Sequence, residues 1–302
     1  MTEIAGGVWP AMFTPMTDEK EPNPAMIDKL LDALIEEGAD GIYLLGATGQ
    51  GMGFGLEQRK QVTEQVARQL VGRASLIVHV GCVATEDAIE LAQHAAECGV
   101  DGVSAVPPVY FPSNADVEME HYHRIASAAQ LPFFPYVNTM ATGDPPLPEI
   151  DYVNRLLELP NIAGVKYTTR NLYTLGLVQL YGDGKLKIFS GSDEVVCLAP
   201  ICAAYGAIGT NYNYWGKAVR KVWNAVLKGD VDLARQFQRV FHAAIDVLLR
   251  SGSFYGFCRV AMRIRHGIEI GPGRVPYCAI GKSWSEDEVR RILNKVDEAA
   301  GL

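Results

Sequence analysis

The 302-residue sequence lacks the features that mark several common classes of protein. No apolar run is long enough to cross a bilayer, and Met1–Pro10 shows no basic segment followed by a long apolar stretch, so we expect neither a membrane anchor nor a signal peptide. Positive charge is also scarce, with 27 Lys and Arg against 35 Asp and Glu and a formal net charge of −8. This acidic balance argues against nucleic acid and anionic membrane as partners.

The cysteines lack any paired spacing. They are scattered, with no C-x-x-C motif, at Cys82, Cys98, Cys197, Cys202, Cys258 and Cys278. We therefore expect neither a disulfide framework nor a zinc site, and no other metal-ligand cluster is visible. Reduced thiols in a cytoplasmic protein are the interpretation that we adopt.

Short apolar runs recur through the first three quarters of the chain, and each precedes a segment with helical periodicity. The runs are continuously apolar, which is typical of parallel strands buried on both faces. They are Gly7–Phe13, Gly41–Leu45, Leu76–Gly81, Gly102–Val106, Phe133–Tyr136, Ile162–Tyr167, Leu186–Ser190 and Ala207–Gly209. The helical patterns between them include Pro24–Glu37, Leu56–Val71, Glu86–Cys98, Val117–Ala129 and Ile150–Leu157.

About eight strand–helix units over roughly 225 residues match the size of a (β/α)₈ barrel. A doubly wound open sheet is the alternative, because alternation alone does not close a barrel. After Gly229 three helical patterns follow with no strand between them, at Val231–Leu249, Phe254–Ile268 and Glu286–Ala299. The sequence therefore predicts a barrel over residues 1–228 and a helical extension over 229–302 that packs on it.

Lys166 is the most informative residue, because it lies in the otherwise apolar run Ile162–Tyr167. Burial lowers the pKa of a lysine, and a neutral lysine attacks carbonyl carbons. An edge-strand lysine that reaches solvent is the alternative. The position near the carboxyl end of a barrel strand favours the catalytic interpretation, since barrel active sites lie at that face.

Two tyrosines follow other predicted strands. Tyr136 ends the run Phe133–Tyr136, and Tyr110 follows Val106-Pro107-Pro108. A phenol in such a place can relay protons. An ordinary half-buried tyrosine is the alternative for each.

Two loops could bind substrate. The glycine-rich loop Gly46–Gly55 lies between a strand and a helix, so its N–H groups could bind an anion, but it contains neither G-x-G-x-x-G nor a P-loop lysine. A small carboxylate suits it better than a dinucleotide. Gly191-Ser192-Asp193-Glu194 follows the seventh strand, and its two carboxylates could bind polyol hydroxyls or cap a helix.

These segments together resemble the dihydrodipicolinate synthase and N-acetylneuraminate lyase family, and more closely its lyase branch. The likeness runs through nearly the whole chain. The family markers are Gly46-Ala47-Thr48-Gly49, Tyr110, Tyr136, Gly164–Thr168 and Gly191–Glu194, and segments similar to the lyase branch are His79–Val83, Val103–Val106, Gly206–Asn213 and Ser251–Phe254.

The resemblance implies a homotetramer with no metal or organic cofactor. It implies that Lys166 forms the Schiff base, that Tyr136 transfers protons and that Tyr110 reaches a neighbouring subunit's site. The loop residues Ala47, Thr48 and Gly49 fall where the family binds the carboxylate of a 2-oxo acid. The resemblance also implies that the sugar-derived part of the substrate binds to Thr168, Gly191, Ser192, Asp193, Glu194 and Thr210.

Several positions depart from the family pattern. Ala47 stands where a serine or threonine hydroxyl usually links the two tyrosines. Ala141 stands where the synthases carry an arginine for their second substrate, which disfavours a dihydrodipicolinate synthase. The other departures are Gln50 for glutamate, Ser192 for a tyrosine of the lyase branch, and Asn138 placed two residues after Tyr136 rather than directly after it.

The sequence thus predicts a carbon–carbon lyase that joins or separates pyruvate and a sugar-derived aldehyde. Two alternatives stay open: the same imine chemistry on another 2-oxo sugar acid, and a degenerate binder of 2-oxo acids that has lost catalysis. The retained Lys166 and Tyr136 argue against the binder, because pure binding needs no imine-forming lysine.

Overall fold

The computed structural model describes residues 4–111, 113–278 and 281–302, and the side chain of Cys278 lies outside this part. Eight short parallel strands form its central sheet, in the order β1-β8-β7-β6-β5-β4-β3-β2. The strands are β1 Gly7–Pro10, β2 Gly41–Leu44, β3 Ser75–His79, β4 Gly102–Ala105, β5 Phe133–Asn138, β6 Gly164–Thr168, β7 Lys187–Ser190 and β8 Gly206–Gly209.

The sheet closes between its two end strands. Ala11 bridges to Tyr43 in parallel orientation, and the Met12 N–H donates to the Tyr43 carbonyl at 3.0 Å. The predicted barrel is therefore confirmed, and the alternative of a doubly wound open sheet is wrong. Each strand is nearly wholly buried, because one face lines the barrel interior and the other packs against helices.

Helices follow the strands around the outside of the barrel. They are α1 Pro24–Glu36, α2 Leu56–Leu70, α3 Thr85–Glu97, α4 Ala115–Ala129, the short α5 Thr139–Thr142, α6 Glu149–Leu157, α7 Leu172–Gly182 and α8 Tyr212–Leu227. Local sequence explains where several begin. At α1, for example, Pro24 occupies the first turn and the Asn23 side chain accepts the Met26 N–H at 3.3 Å.

The predicted C-terminal extension is present as three helices, α9 Val231–Arg250, α10 Phe254–His266 and α11 Glu286–Ala299. It packs on α8 through aromatic contacts around Trp215, whose ring centroid lies 5.5 Å from that of Phe241. The Trp215 indole also donates to the Leu293 carbonyl at 3.3 Å, which ties α8 to α11. The proposed boundary after residue 228 falls in the turn between α8 and α9.

One expectation for the extension is wrong. An antiparallel hairpin of two short strands, β9 Gly273–Arg274 and β10 Tyr277–Cys278, lies between α10 and α11, where we expected no strand. Each strand has two residues, too few to show a period-2 pattern in the sequence.

A buried arginine ties α2 to the carboxyl end of β3. Arg59 is 2% exposed and donates to the carbonyls of His79 (2.7 Å) and Gly81 (3.0 Å) and to the Cys82 thiol (3.0 Å). Its position fixes the backbone where β3 leaves the barrel.

We predict that Arg59→Met destabilises the fold strongly. The change leaves two buried carbonyls without donors, and each such loss costs about 1–3 kcal/mol. Urea unfolding followed by circular dichroism measures the effect. Lys60→Met is the matched control, because Lys60 forms exposed ion pairs with Glu57 and Glu90 that are worth about 1 kcal/mol or less. Equal unfolding midpoints for the two variants would contradict this role for Arg59.

Candidate active site

A cavity of about 230 Å³ lies at the carboxyl ends of the barrel strands. Most of the residues singled out from the sequence line it: Ala47, Thr48, Tyr136, Lys166, Thr168, Gly191, Asp193, Glu194 and Thr210. They come from several different strand ends and their loops. The barrel topology therefore brings together side chains that are up to 163 residues apart (210 minus 47).

Lys166 lies in the middle of β6, between β5 and β7, so the edge-strand alternative is wrong. The side chain is 4% exposed, and its Nζ lies 3.9 Å from the centre of the Tyr43 ring and 4.0 Å from that of Tyr136. Burial lowers the pKa of Lys166 to about 7, against an opposing effect of the Asp193 carboxylate. A substantial fraction of this amine is consequently neutral and nucleophilic near pH 7.

Tyr136 is the direct neighbour of Lys166 in the sheet, because the register pairs these two residues across β5 and β6. Its hydroxyl accepts a hydrogen bond from the Asn138 amide at 3.2 Å. Tyr136 and Asn138 are two residues apart along one strand, so both side chains point to the same side. Burial raises the pKa of Tyr136, and the phenol is therefore protonated at neutral pH.

The wall behind the lysine consists of Tyr43 and His79. The Tyr43 hydroxyl is hydrogen-bonded to the Ser104 hydroxyl at 3.0 Å, and the His79 ring meets the Tyr136 ring edge-on at 6.0 Å. Burial, reinforced by Arg59 and Lys166, lowers the pKa of His79 well below its ordinary value. His79 is therefore neutral and adds no second cation beside Lys166.

The glycine-rich loop can accept a carboxylate. Within the loop, the Gln50 N–H donates to the Ala47 carbonyl and the Gly51 N–H donates to the Gly46 carbonyl. Among the described residues, the N–H groups of Ala47, Thr48 and Gly49 donate to no protein acceptor, which leaves them available to a ligand. The Thr48 hydroxyl lies 2.6 Å from that of Thr210. The loop lies between β2 and α2, as expected, and contains a 3₁₀ turn at Gly51–Gly53.

The two carboxylates after β7 are held differently. Asp193 is buried and accepts hydrogen bonds from the backbone and side-chain amides of Asn211 at the start of α8. Burial raises its pKa to about 7. Glu194 instead pairs with Arg170, whose Nε lies 3.1 Å from the carboxylate. Neither residue caps its own 3₁₀ turn (Asp193–Val195), and Asp193 instead accepts the backbone N–H of Asn211, the residue that precedes α8.

Two glycines give these side chains room. A Cβ on Gly191 would lie 1.8 Å from the Thr168 hydroxyl, and one on Gly209 would lie 1.8 Å from an Asp193 carboxylate oxygen. Any larger residue would displace the groups that line the cavity. The backbone glycines are thus part of its shape.

Three of the residues predicted from the sequence do not line this cavity. Gly49 is buried in the loop, where its carbonyl accepts a hydrogen bond from Thr14 at 2.8 Å, and Ser192 is buried beneath the lining. Tyr110 is 87% exposed and has a left-handed backbone conformation, with φ of 78°. It lies on the surface of its own subunit.

Several lining residues were missed in the sequence. Asn138 was noted only as a departure, while Asn211 and Tyr277 were not singled out at all. Tyr43, which packs against Lys166, lies in an apolar strand, and nothing in the sequence distinguishes it there from an ordinary core residue. Tyr277 comes from the short hairpin that the sequence pattern did not predict.

Within residues 4–111, 113–278 and 281–302 there is no group of three or more His, Cys, Asp or Glu side chains placed to hold a metal ion. No helix in this part of the chain combines the length and apolarity that crossing a bilayer requires.

A (β/α)₈ barrel with a buried, partly neutral lysine at its strand ends defines a class of enzymes that act through a lysine amine. Comparison with known families agrees with this class. The model of the dihydrodipicolinate synthetase family matches residues 5–296, and the chain belongs to this family.

Curated relatives and solved structures of the lyase branch resemble this chain. The N-acetylneuraminate lyase of Rhizobium meliloti is 33% identical over 90% of this chain and 89% of its own, and that of Escherichia coli is 34% identical over 83% and 84%. Among solved structures, the wild-type Ruminococcus gnavus sialic acid aldolase superposes with a TM-score of 0.92 at 26% identity over 99% of both chains. The family and branch predicted from the sequence are confirmed.

The pKa values predict how the amine responds to pH. The rate at which Lys166 reacts with a 2-oxo acid should rise about tenfold per pH unit below 7 and level off above it, because only the neutral amine attacks. Asp193→Asn removes a group that raises the pKa of Lys166 and should shift this profile towards lower pH. Glu194→Gln is the matched control, since Glu194 is not among the causes of the Lys166 shift. Borohydride trapping rates across pH measure all three proteins, and an unshifted profile for Asp193→Asn would contradict the assignment.

Proposed function

We propose that this protein is a Schiff-base lyase that cleaves or forms a carbon–carbon bond between pyruvate and a sugar-derived aldehyde. The observation that carries the proposal is Lys166, a buried amine with a pKa of about 7 beside a phenol in a cavity that can accept a carboxylate. The relatives named N-acetylneuraminate lyase and sialic acid aldolase support the choice of substrate. The solved structures also include a catalytic lysine mutant of the R. gnavus aldolase, so that protein depends on a lysine.

The chemistry follows from the positions of these groups. The neutral Lys166 amine attacks the C2 ketone of a 2-oxo acid, and water leaves to form a cationic imine. The C4 hydroxyl loses its proton towards Tyr136, the electron pair of the C3–C4 bond moves into the imine, and an aldehyde departs. A proton returned to C3 and hydrolysis of the imine then release pyruvate.

The surroundings suit the two ends of the substrate. The N–H groups of Ala47–Gly49 and the Thr48 hydroxyl are donors for the carboxylate, while Asp193, Thr168 and Thr210 offer partners for hydroxyls. The Glu194 carboxylate is already paired with Arg170, so Asp193 is the more available hydrogen-bond acceptor for the hydroxyls of a polyol. Ala141 lies exposed on α5 and supplies no cation for the second substrate of a dihydrodipicolinate synthase.

The test of this function is covalent trapping. Borohydride with pyruvate should add one reduced pyruvate to the protein at Lys166, and Lys166→Arg should abolish the adduct, because a guanidinium stays charged and cannot attack. Peptide mass spectrometry locates the adduct. Lys187→Arg is the matched control, since Lys187 pairs with the Ile4 carbonyl away from the cavity.

A panel of substrates separates the alternatives. Pyruvate release from N-acetylneuraminate supports the lyase, and release from other 2-oxo sugar acids alone supports the same imine chemistry on a different substrate. Trapping without turnover of any member would support a degenerate binder. An adduct at another lysine, or none in folded protein, would overturn the proposal.

We also propose that the chain forms a homotetramer. Two exposed apolar features support self-association: Tyr110 and Phe111, which are 87% and 65% exposed, and the outer face of α7 with Tyr173 and Leu180. Exposed apolar surface of this kind is typical of protein interfaces. In the assembly that the family resemblance implies, Tyr110 would enter a neighbour's site.

Sedimentation velocity tests the assembly. We expect a species of four 32.9 kDa chains at micromolar concentration. Leu180→Glu should shift it to a smaller species, because a charge buried in an apolar contact is costly. Leu227→Glu, at an exposed site at the end of α8, is the control. A monomer with full activity would contradict the proposal.

A cytoplasmic location is also proposed. The side chains of Cys82, Cys98, Cys197, Cys202 and Cys258 form no disulfide, which is typical of proteins in a reducing compartment.

A further inference from the structure

A second tyrosine of the same chain lines the candidate active site. Tyr277, at the start of β10, borders the 230 Å³ cavity together with Tyr136, Lys166 and Ala47. The two side chains therefore border one space in which water or substrate can bridge them.

The hairpin that carries Tyr277 is anchored to the substrate side of the barrel. The Arg274 guanidinium donates to the carbonyls of Gly53 (2.7 Å) and Lys20 (2.7 Å) and lies 4.3 Å from the centre of the Phe54 ring. The Arg274 N–H donates to the Gln50 side chain at 2.8 Å. The glycine-rich loop and the hairpin thus form one connected structure.

A buried tyrosine packs against Tyr277. The Tyr255 hydroxyl donates to the Ile270 carbonyl at 3.2 Å. The Tyr255 ring meets the Tyr277 ring edge-on at 5.9 Å, which fixes the position of Tyr277.

Tyr277 has the properties of a proton carrier. Its pKa is raised by desolvation and by the nearby Cys258, Tyr136 and Asp193, so it is a neutral phenol that both donates and accepts. The residue borders the cavity and is also 38% exposed.

Tyr136 needs such a neighbour. Burial raises its pKa, so it can take a proton from the substrate only if it passes its own proton on at the same time. Ala47, which borders the same cavity, ends in a methyl group and can neither donate nor accept. A proton path through residue 47 is therefore closed in this chain.

We propose that Tyr277 carries the proton that Tyr136 releases, in place of a hydroxyl at residue 47. This inference rests on the proposed lyase function. In cleavage the C4 hydroxyl proton moves to the Tyr136 oxygen, the Tyr136 proton moves to the Tyr277 oxygen, and the Tyr277 proton moves to solvent. The C3–C4 electron pair neutralises the imine, and the reverse transfer later protonates C3, so no net proton is consumed.

The test is a double-mutant cycle on residues 277 and 47. Tyr277→Phe should lower both kcat and kcat/KM for N-acetylneuraminate cleavage at least about tenfold, since a positioned acid–base group contributes about 10²- to 10⁴-fold and water replaces part of it. Ala47→Ser alone should raise the cleavage rate by about tenfold or less, because the new hydroxyl adds a second proton path beside Tyr277. In the Ala47→Ser background the loss caused by Tyr277→Phe should shrink to about threefold or less, because the new hydroxyl restores a second path.

Two controls separate the possible failures. The rate of pyruvate trapping at Lys166 should be unchanged in Tyr277→Phe, and absence of trapping in the unaltered protein would overturn the lyase function itself. Tyr205→Phe removes a hydroxyl that is bonded to the Ile4 carbonyl at the opposite end of the barrel, and it should leave cleavage unchanged.

Three results would overturn the role of Tyr277 while leaving the function intact. The first is an unchanged kcat in Tyr277→Phe, and the second is a rise in KM alone, which indicates substrate binding without proton transfer. The third is an equal loss from Tyr277→Phe with and without the Ala47→Ser substitution. Trapping at Lys166 should be normal in each case. If N-acetylneuraminate is not cleaved, the same cycle applies to whichever 2-oxo sugar acid releases pyruvate.

Discussion

The site depends on keeping an amine out of water. Lys166 lies on a central strand between two aromatic faces, with Asp193 as the opposing charge, and this environment brings its pKa to about 7. The same burial that makes the lysine nucleophilic penalises its charged form in the folded protein. The neutral side chains around it, Tyr43, Tyr136 and His79, fit this constraint, because a second cation there would add repulsion.

Asp193 connects this electrostatic constraint to the fold. Its carboxylate accepts both amides of Asn211, so it joins the end of β7 to the start of α8 while it faces the lysine. Gly209 and Gly191 keep the space that this arrangement requires, since a Cβ at either would collide with Asp193 or Thr168. The packing of the last barrel helix and the electrostatics around Lys166 thus share one buried carboxyl group.

The sequence allowed the barrel to be predicted because parallel strands buried on both faces leave continuous apolar runs, and a lysine inside such a run is conspicuous. It could not show that Arg170 pairs with Glu194, or that Tyr43 and Tyr277 converge on Lys166 and Tyr136, because those contacts join distant segments. The hairpin at Gly273–Cys278 was missed for a local reason, since two residues per strand carry no period. Patterns along the chain predicted the elements, whereas the cavity depends on tertiary contacts.

The proposed mechanism places an anionic substrate and a cationic intermediate in one small cavity. Burial lowers the pKa of Lys166 and raises that of Asp193, each to about 7, so it disfavours the charged form of both groups. A substrate carboxylate entering this site meets the backbone N–H groups of the glycine-rich loop rather than a fixed cation. In the proposed mechanism the positive charge of the imine has the substrate carboxylate and Asp193 as counter-charges, and that charge disappears when the carbon–carbon bond breaks. Backbone dipoles and two groups whose charged forms burial disfavours would then serve the reaction without a permanently buried ion.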